Sequence, residues 1–106
     1  QRLSDMAIYN GVAYLACQVP DDVTKDIAGQ TSQVLNTIDK LLAEAGSHKS
    51  RILLAQIYVA NMKEFDGMNK AWDAWVAEGN APPRATIEAR LANADFKVEI
   101  VVTAAV

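Results

Sequence analysis

From Ile27 to Leu42 the residues Ile27, Val34, Leu35, Ile38, Leu41 and Leu42 recur at helical spacing and make one apolar stripe. Gln33, Asn36, Lys40 and Glu44 fall on the wet side. A helix apolar on one side only must lay that side on another layer. The spacing predicts a helix over Asp26 to Ala45, with Asp22 or Thr24 as N-cap and Gly46 as its stop. Gly29 weakens the helix start. A second one-sided helix is predicted over Glu64 to Glu78, capped by Asn61, with Phe65, Met68, Trp72, Trp75 and Val76 on its buried face. Gly79-Asn80 ends it.

The segments around these helices read as strands. Met6 to Tyr9 and Val12 to Gln18 flank Asn10-Gly11, a strong hairpin signal because both residues tolerate positive φ. Ile52 to Val59 is apolar and β-branched, as in a buried strand. Pro82-Pro83 forbids helix and forces an extended entry to Arg84–Leu91. There Ala85, Ile87, Ala89 and Leu91 share one face, and Arg84, Thr86, Glu88 and Arg90 the other. Asn93-Ala94-Asp95 is a turn, and Phe96 to Ala104 alternates again. The order is ββαβαββ, which gives a two-layer α+β fold: one mixed sheet with both helices on one face. The other sheet face is half apolar, which points to oligomerisation.

With 106 residues and 51% hydrophobic content, the chain suits a single domain with a real core. The net charge of -3 and ten scattered Lys and Arg argue against nucleic-acid binding, which normally shows a basic patch. No apolar run is long enough to cross a bilayer and no signal peptide is visible, so a soluble cytosolic protein without a membrane partner is expected. The first residue is Gln1 rather than Met, so a few residues are expected to precede it. Cys17 is alone and cannot form an internal disulfide. One His and one Cys do not supply a usual structural zinc set, and no metal or cofactor is expected.

Two charges stand where packing alone would not ask for them. Arg84 opens a strand, and Glu99 sits within an apolar run. If their strands share a sheet, guanidinium and carboxylate can lie on one face, an arrangement suited to a small carboxylate-bearing substrate. The alternatives are a strand-end ion pair of Arg84 with Glu88 or Glu99, and a pairing of Glu99 with Lys97 or Arg90. Cys17 reads as a small hydrophobe or as a thiol near the cleft. His48 reads as a solvated loop residue, Trp72 and Trp75 as helix core with ligand stacking as the weaker alternative, and Tyr14 and Tyr58 as strand residues able to border a cleft.

An ordered set of short segments resembles the RidA/YjgF family of reactive intermediate deaminases, also called endoribonuclease L-PSP. The segments are Gln18-Val19-Pro20, Glu44-Ala45-Gly46, Ile57-Tyr58-Val59, Phe65-Asp66-Gly67-Met68-Asn69-Lys70-Ala71-Trp72, Pro83-Arg84-Ala85-Thr86 and Lys97-Val98-Glu99-Ile100. Met68 to Trp75 is most similar to the short YoaB-type members. The resemblance implies a chorismate-mutase-like fold and a homotrimer whose sheets face inward, with three inter-subunit clefts. It also implies cofactor-free hydrolysis of enamines and imines such as 2-aminoacrylate to 2-keto acids and ammonia. Ribonuclease activity, which the family description also carries, fits the acidic balance poorly. A non-catalytic carboxylate-binding trimer is the main alternative.

Residue by residue, the resemblance makes Arg84 the substrate-carboxylate arginine and Glu99 the glutamate that holds the attacking water. Asn69 matches a family asparagine, expected to satisfy a backbone group beside the site. The pocket serine of the family is Ala16 here, its pocket tyrosine falls at Leu3, and the frequent cysteine after the arginine is Thr86. The candidate substrate-lining set is Arg84, Thr86, Cys17, Ala16, Leu3 and Tyr14.

Overall fold

The computed structural model describes residues 2–106. Its elements are β1 (Met6–Tyr9), β2 (Val12–Leu15), α1 (Ile27–Glu44), β3 (Ile52–Val59), α2 (Phe65–Trp75), β4 (Arg84–Glu88) and β5 (Val98–Ala105). They form a sheet of order β1-β2-β5-β3-β4, with both helices on one face. Only β3 and β4 run parallel; the other pairs are antiparallel. The expected α+β architecture is the one observed.

Local chemistry sets the boundaries. Asn10 and Gly11 both take positive φ, 50° and 77°, as a tight hairpin turn of this hand requires. Asp26, not Asp22 or Thr24, caps α1: its Oδ1 accepts from Gly29 N at 2.9 Å. Asp22 instead closes the preceding turn, accepting from Thr24 N at 3.0 Å. The far end closes at Gly46, where Gly46 N donates to Ala43 O and Ser47 N to Leu42 O.

Three strands are shorter than the pattern implied. β4 stops at Glu88 because its only neighbour, β3, ends at Val59. β5 starts at Val98 because Lys97 N is taken by Gln30 Oε1 at 2.8 Å. β2 stops at Leu15, and Ala16 and Cys17 leave the ladder before Gln18 rejoins it against Ile100. α2 is also shorter. Asn61 caps a 3-10 turn over Met62–Glu64, and the helix ends at Trp75, where the Lys49 ammonium takes the Trp75 carbonyl and Val76 turns extended.

The core lies between the helices and one sheet face. Val34, Leu35, Ile38 and Leu42 of α1 and Met68 of α2 meet Ile57, Val59, Ile100 and Val102 of the sheet, all fully or almost fully buried. Among the described residues no helix or strand layer covers the opposite sheet face. Tyr14 is 51% exposed there, Leu54 46% and Ile87 41%. Residues paired across a sheet share a face, and alternate residues switch. Arg84 and Thr86 therefore lie on the helix side with Ala55 and Ile57, and Ala85 and Ile87 lie on the open side.

Candidate functional site between the edge strand and the second helix

β4 is an edge strand, and Arg84 is its first residue. Its half-buried guanidinium lies over two rings of α2, 5.3 Å from the centroid of Trp72 and 5.9 Å from that of Phe65. Among the described residues it forms no ion pair and no side-chain hydrogen bond; the ion pair found is Lys97 Nζ–Glu64 Oε1 at 3.9 Å. Glu88 is not its partner either, since Glu88 Oε1 accepts from Met62 N at 2.8 Å. The strand-end ion pair considered from the sequence is absent, and the in-plane N–H donors are uncommitted.

Two buried oxygens without partners among the described residues lie on the two elements that hold this cation. Thr86 Oγ1 is two residues along the same face of β4, and Asn69 Oδ1 is on α2. Phe65, Asn69 and Trp72 occupy positions i, i+4 and i+7 of that helix, so Asn69 lies between the two rings that carry Arg84. The expectation that Asn69 satisfies a backbone group is corrected, because its buried oxygen accepts no hydrogen bond. An orphaned buried oxygen marks a place a ligand, a water or another chain completes.

Glu99 is elsewhere. It pairs with Tyr58, whereas Arg84 pairs with Ala55. Positions 55 and 58 differ by an odd number, so the two charges point to opposite faces of the sheet. The strands share a sheet, but the same-face arrangement is overturned, and β3 lies between β4 and β5. On the open face Glu99 Oε2 accepts from the Cys17 thiol at 3.3 Å. Partial desolvation of the sulfur against the sheet, although the residue as a whole is exposed, and then the Glu99 carboxylate beside it push the Cys17 thiol up to about 12. Cys17 is exposed, not a buried hydrophobe, yet the carboxylate disfavours its nucleophilic thiolate. Neither Lys97 nor Arg90 pairs with Glu99.

The remaining lining residues are on neither β4 nor α2 and so lie apart from the Arg84 group. Tyr14 lies on the open face of β2, beside Thr103. Ala16 is held near β1 by its N–H, which donates to Asp5 O at 2.7 Å. Leu3 precedes β1 and is 62% exposed. One chain thus carries two separate groups of candidate residues: Arg84, Thr86 and Asn69 at the β4 edge, and Glu99, Cys17 and Tyr14 on the open face. A concavity of about 440 Å³ between Ala60, Arg90, Leu91 and Phe96 lies past the far end of β4 and includes neither group. His48 Nδ1 accepts from Ser50 N, so this exposed residue caps a turn.

Sequence reasoning missed two things. It placed Phe65 and Trp72 on the buried face of the helix, with ligand stacking the weaker reading for Trp72, and did not foresee Arg84 lying over both rings, although the aromatic pair flanking Asn69 at helical spacing was a visible signal. It also passed over Gln30. This residue is fully buried, donates to Val23 O, Lys25 O and Asp95 O, and accepts from Lys97 N, fixing the segment that leads into β5 and Glu99.

Among the described residues no helix is long and apolar enough to cross a membrane, and no cluster of three His, Cys, Asp or Glu could hold a metal ion. The family model described as Endoribonuclease L-PSP matches residues 1–106. A RutC family protein of Haemophilus ducreyi is 62% identical over 105 residues, 99% of this chain and 90% of that protein. The RutC family protein YoaB of Escherichia coli is 47% identical over 105 residues, 99% of this chain and 91% of its own length. A YjgF family protein of Neisseria meningitidis, 45% identical, superposes with a TM-score of 0.95 over 98% of this chain and 87% of that one. By full-length family match, close relatives and shared fold together, the chain belongs to the RidA/YjgF family and resembles its YoaB-like members.

Proposed function

We propose that this protein hydrolyses reactive 2-imino acids, and the enamines that tautomerise to them, to 2-keto acids and ammonia. The observation that carries the reading is Arg84: a half-buried guanidinium over two aromatic rings, with no protein carboxylate on it. Such a group holds a substrate carboxylate through two parallel N–H donors. Water then adds to the imine carbon, a proton passes to nitrogen, and the C–N bond of the carbinolamine breaks to give the keto acid and ammonia. Glu99 is the general base and proton relay for these steps.

Arg84 and Glu99 of one chain face opposite sides of the sheet, so both act on one substrate only in an assembly. In this reading three copies pack their open faces inward, and each cleft joins the Arg84 edge of one copy to the Glu99 face of its neighbour. The apolar open face carrying Leu54, Ile87 and Val101 supports that arrangement.

A second reading has a specific observation behind it. Glu99 is engaged by the Cys17 thiol, and Ala16 and Leu3 replace the polar pocket residues the family resemblance leads one to expect. The same arginine then serves a keto-acid-binding protein without turnover. An imine-hydrolysis assay separates the two: an amino-acid oxidase generates the imine, and semicarbazide traps what is not hydrolysed. Faster imine loss with wild type, abolished in Arg84→Ala, supports the deaminase. Binding of 2-ketobutyrate without acceleration of any imine supports the binding protein. Neither binding nor turnover sinks both.

A further inference from the structure

Arg84 is unusual in what holds it. A half-buried guanidinium fixed by a carboxylate has the N–H donors a substrate would need already occupied. Here no carboxylate lies within ion-pair reach among the described residues, and the group lies over Trp72 and Phe65 at 5.3 and 5.9 Å. A guanidinium over a ring spends its π face and keeps its in-plane N–H donors free.

The rings are themselves fixed. Trp72 is 5% exposed and packs on Trp75, centroid to centroid 5.3 Å. Trp75 is pinned by its indole N–H, which donates to Asp39 Oδ2 at 3.0 Å, and by the Lys49 ammonium over its ring at 5.2 Å. The cation on the edge strand is thereby referenced to α1 through a continuous packed line.

We infer that Phe65 and Trp72 are positioning residues: an aromatic platform on α2 that takes the place of a counter-ion and presents the free N–H donors of Arg84 to an incoming carboxylate. This rests on the carboxylate-binding reading of Arg84 and adds to it the residues that set the arginine's orientation. Ligand affinity should therefore depend on two residues that need not touch the ligand, and it should depend on their aromaticity rather than on their bulk.

The test uses Phe65→Leu and Trp72→Leu, with Phe65→Tyr and Trp72→Phe as conservative partners, in the whole chain. Titration with 2-ketobutyrate should show affinity weakened about three- to tenfold by each leucine. It should be largely restored by the aromatic partners, in proteins with wild-type circular dichroism. Phe65 is only partly buried, so Phe65→Leu stays informative where Trp72→Leu does not fold. In parallel, NMR of the ligand-free protein should show the Arg84 side-chain protons shifted upfield by ring currents, with the shift reduced in the leucine variants. Unchanged affinity in Phe65→Leu alongside abolished binding in Arg84→Ala overturns the platform and leaves the carboxylate reading standing. Arg84 protons at random-coil positions in wild type overturn it whether or not any ligand binds. Ring-current shifts without keto-acid binding leave the platform in place and remove the carboxylate reading instead.

Discussion

The Cys17 thiol donates to Glu99 Oε2 at 3.3 Å, joining residues 82 positions apart on the open face of the sheet. Among the described residues the side-chain partner of Glu99, the proposed general base, is a thiol. The contact binds the two groups' chemistry together. Partial desolvation and then the carboxylate keep the thiol protonated, and the thiol occupies one carboxylate oxygen.

Cys17 should therefore react slowly despite its exposure. With its pKa pushed from 9.0 to about 12, little thiolate is present at neutral pH. Alkylation by iodoacetamide at pH 8 should run at least about tenfold slower than for an unperturbed cysteine. Glu99→Gln should speed it. A wild-type rate equal to that of a free thiol would contradict the contact.

The same shift gives a pH dependence with a definite sign. Folding favours the neutral thiol, so its contribution is fully present below the ordinary value of 9.0. It is lost as pH rises from there toward about 12. Urea unfolding over that range should show a steeper loss of stability in wild type than in Cys17→Ala. Parallel slopes would refute it.

Arg84→Lys should retain the fold and lose the ligand. Arg84 has no ion pair to break among the described residues, so stability should change by less than about 1 kcal/mol. An ammonium lacks the planar fork, and 2-ketobutyrate affinity should fall about tenfold or more by calorimetry. Equal binding by Lys would show that charge alone suffices.

Gln30→Leu should be costly. The fully buried amide serves three carbonyls and the Lys97 N–H, and its loss leaves these backbone groups without partners. Destabilisation of about 2–4 kcal/mol is expected in urea, with faster amide exchange at Lys97. Gln30→Glu should not rescue it, because a carboxylate cannot donate to carbonyls. Near-wild-type stability of either variant would contradict this account.

Gly67→Ala tests the helix layer. A Cβ there would meet Ile27 Cγ2 at 2.7 Å, too close without a shift of α2 against α1. A loss of about 1–3 kcal/mol is expected by thermal or chemical unfolding. A gain, as for an ordinary Gly→Ala in a helix, would mean the helices can separate at no cost.

Much of the fold was legible because it is local. The stripe from Ile27 to Leu42, the Asn10-Gly11 turn and the Pro82-Pro83 entry each carry their physics within a few residues. β3 was found with its observed bounds, Ile52–Val59, from its β-branched run. Strand ends were less legible, because a strand stops where its neighbour stops, as Glu88 does against Val59. The N-cap of α1 was misplaced because Asp22, Thr24 and Asp26 share the same capping chemistry, and only backbone position decides among them.

Which residues alternate together, which segments are amphipathic, and that Arg84 and Glu99 are charges set in strands could all be read along the chain. Tertiary structure decided which parity faces the helices. Alternation fixes relative faces within one strand and says nothing about a second strand until register joins them. Pairing Arg84 with Ala55 and Glu99 with Tyr58 sent the two charges to opposite faces. It also laid Arg84 over Phe65 and Trp72, and brought Cys17 to Glu99. These are long-range contacts, set by how the layers pack and the strands pair rather than by any residue's own preference.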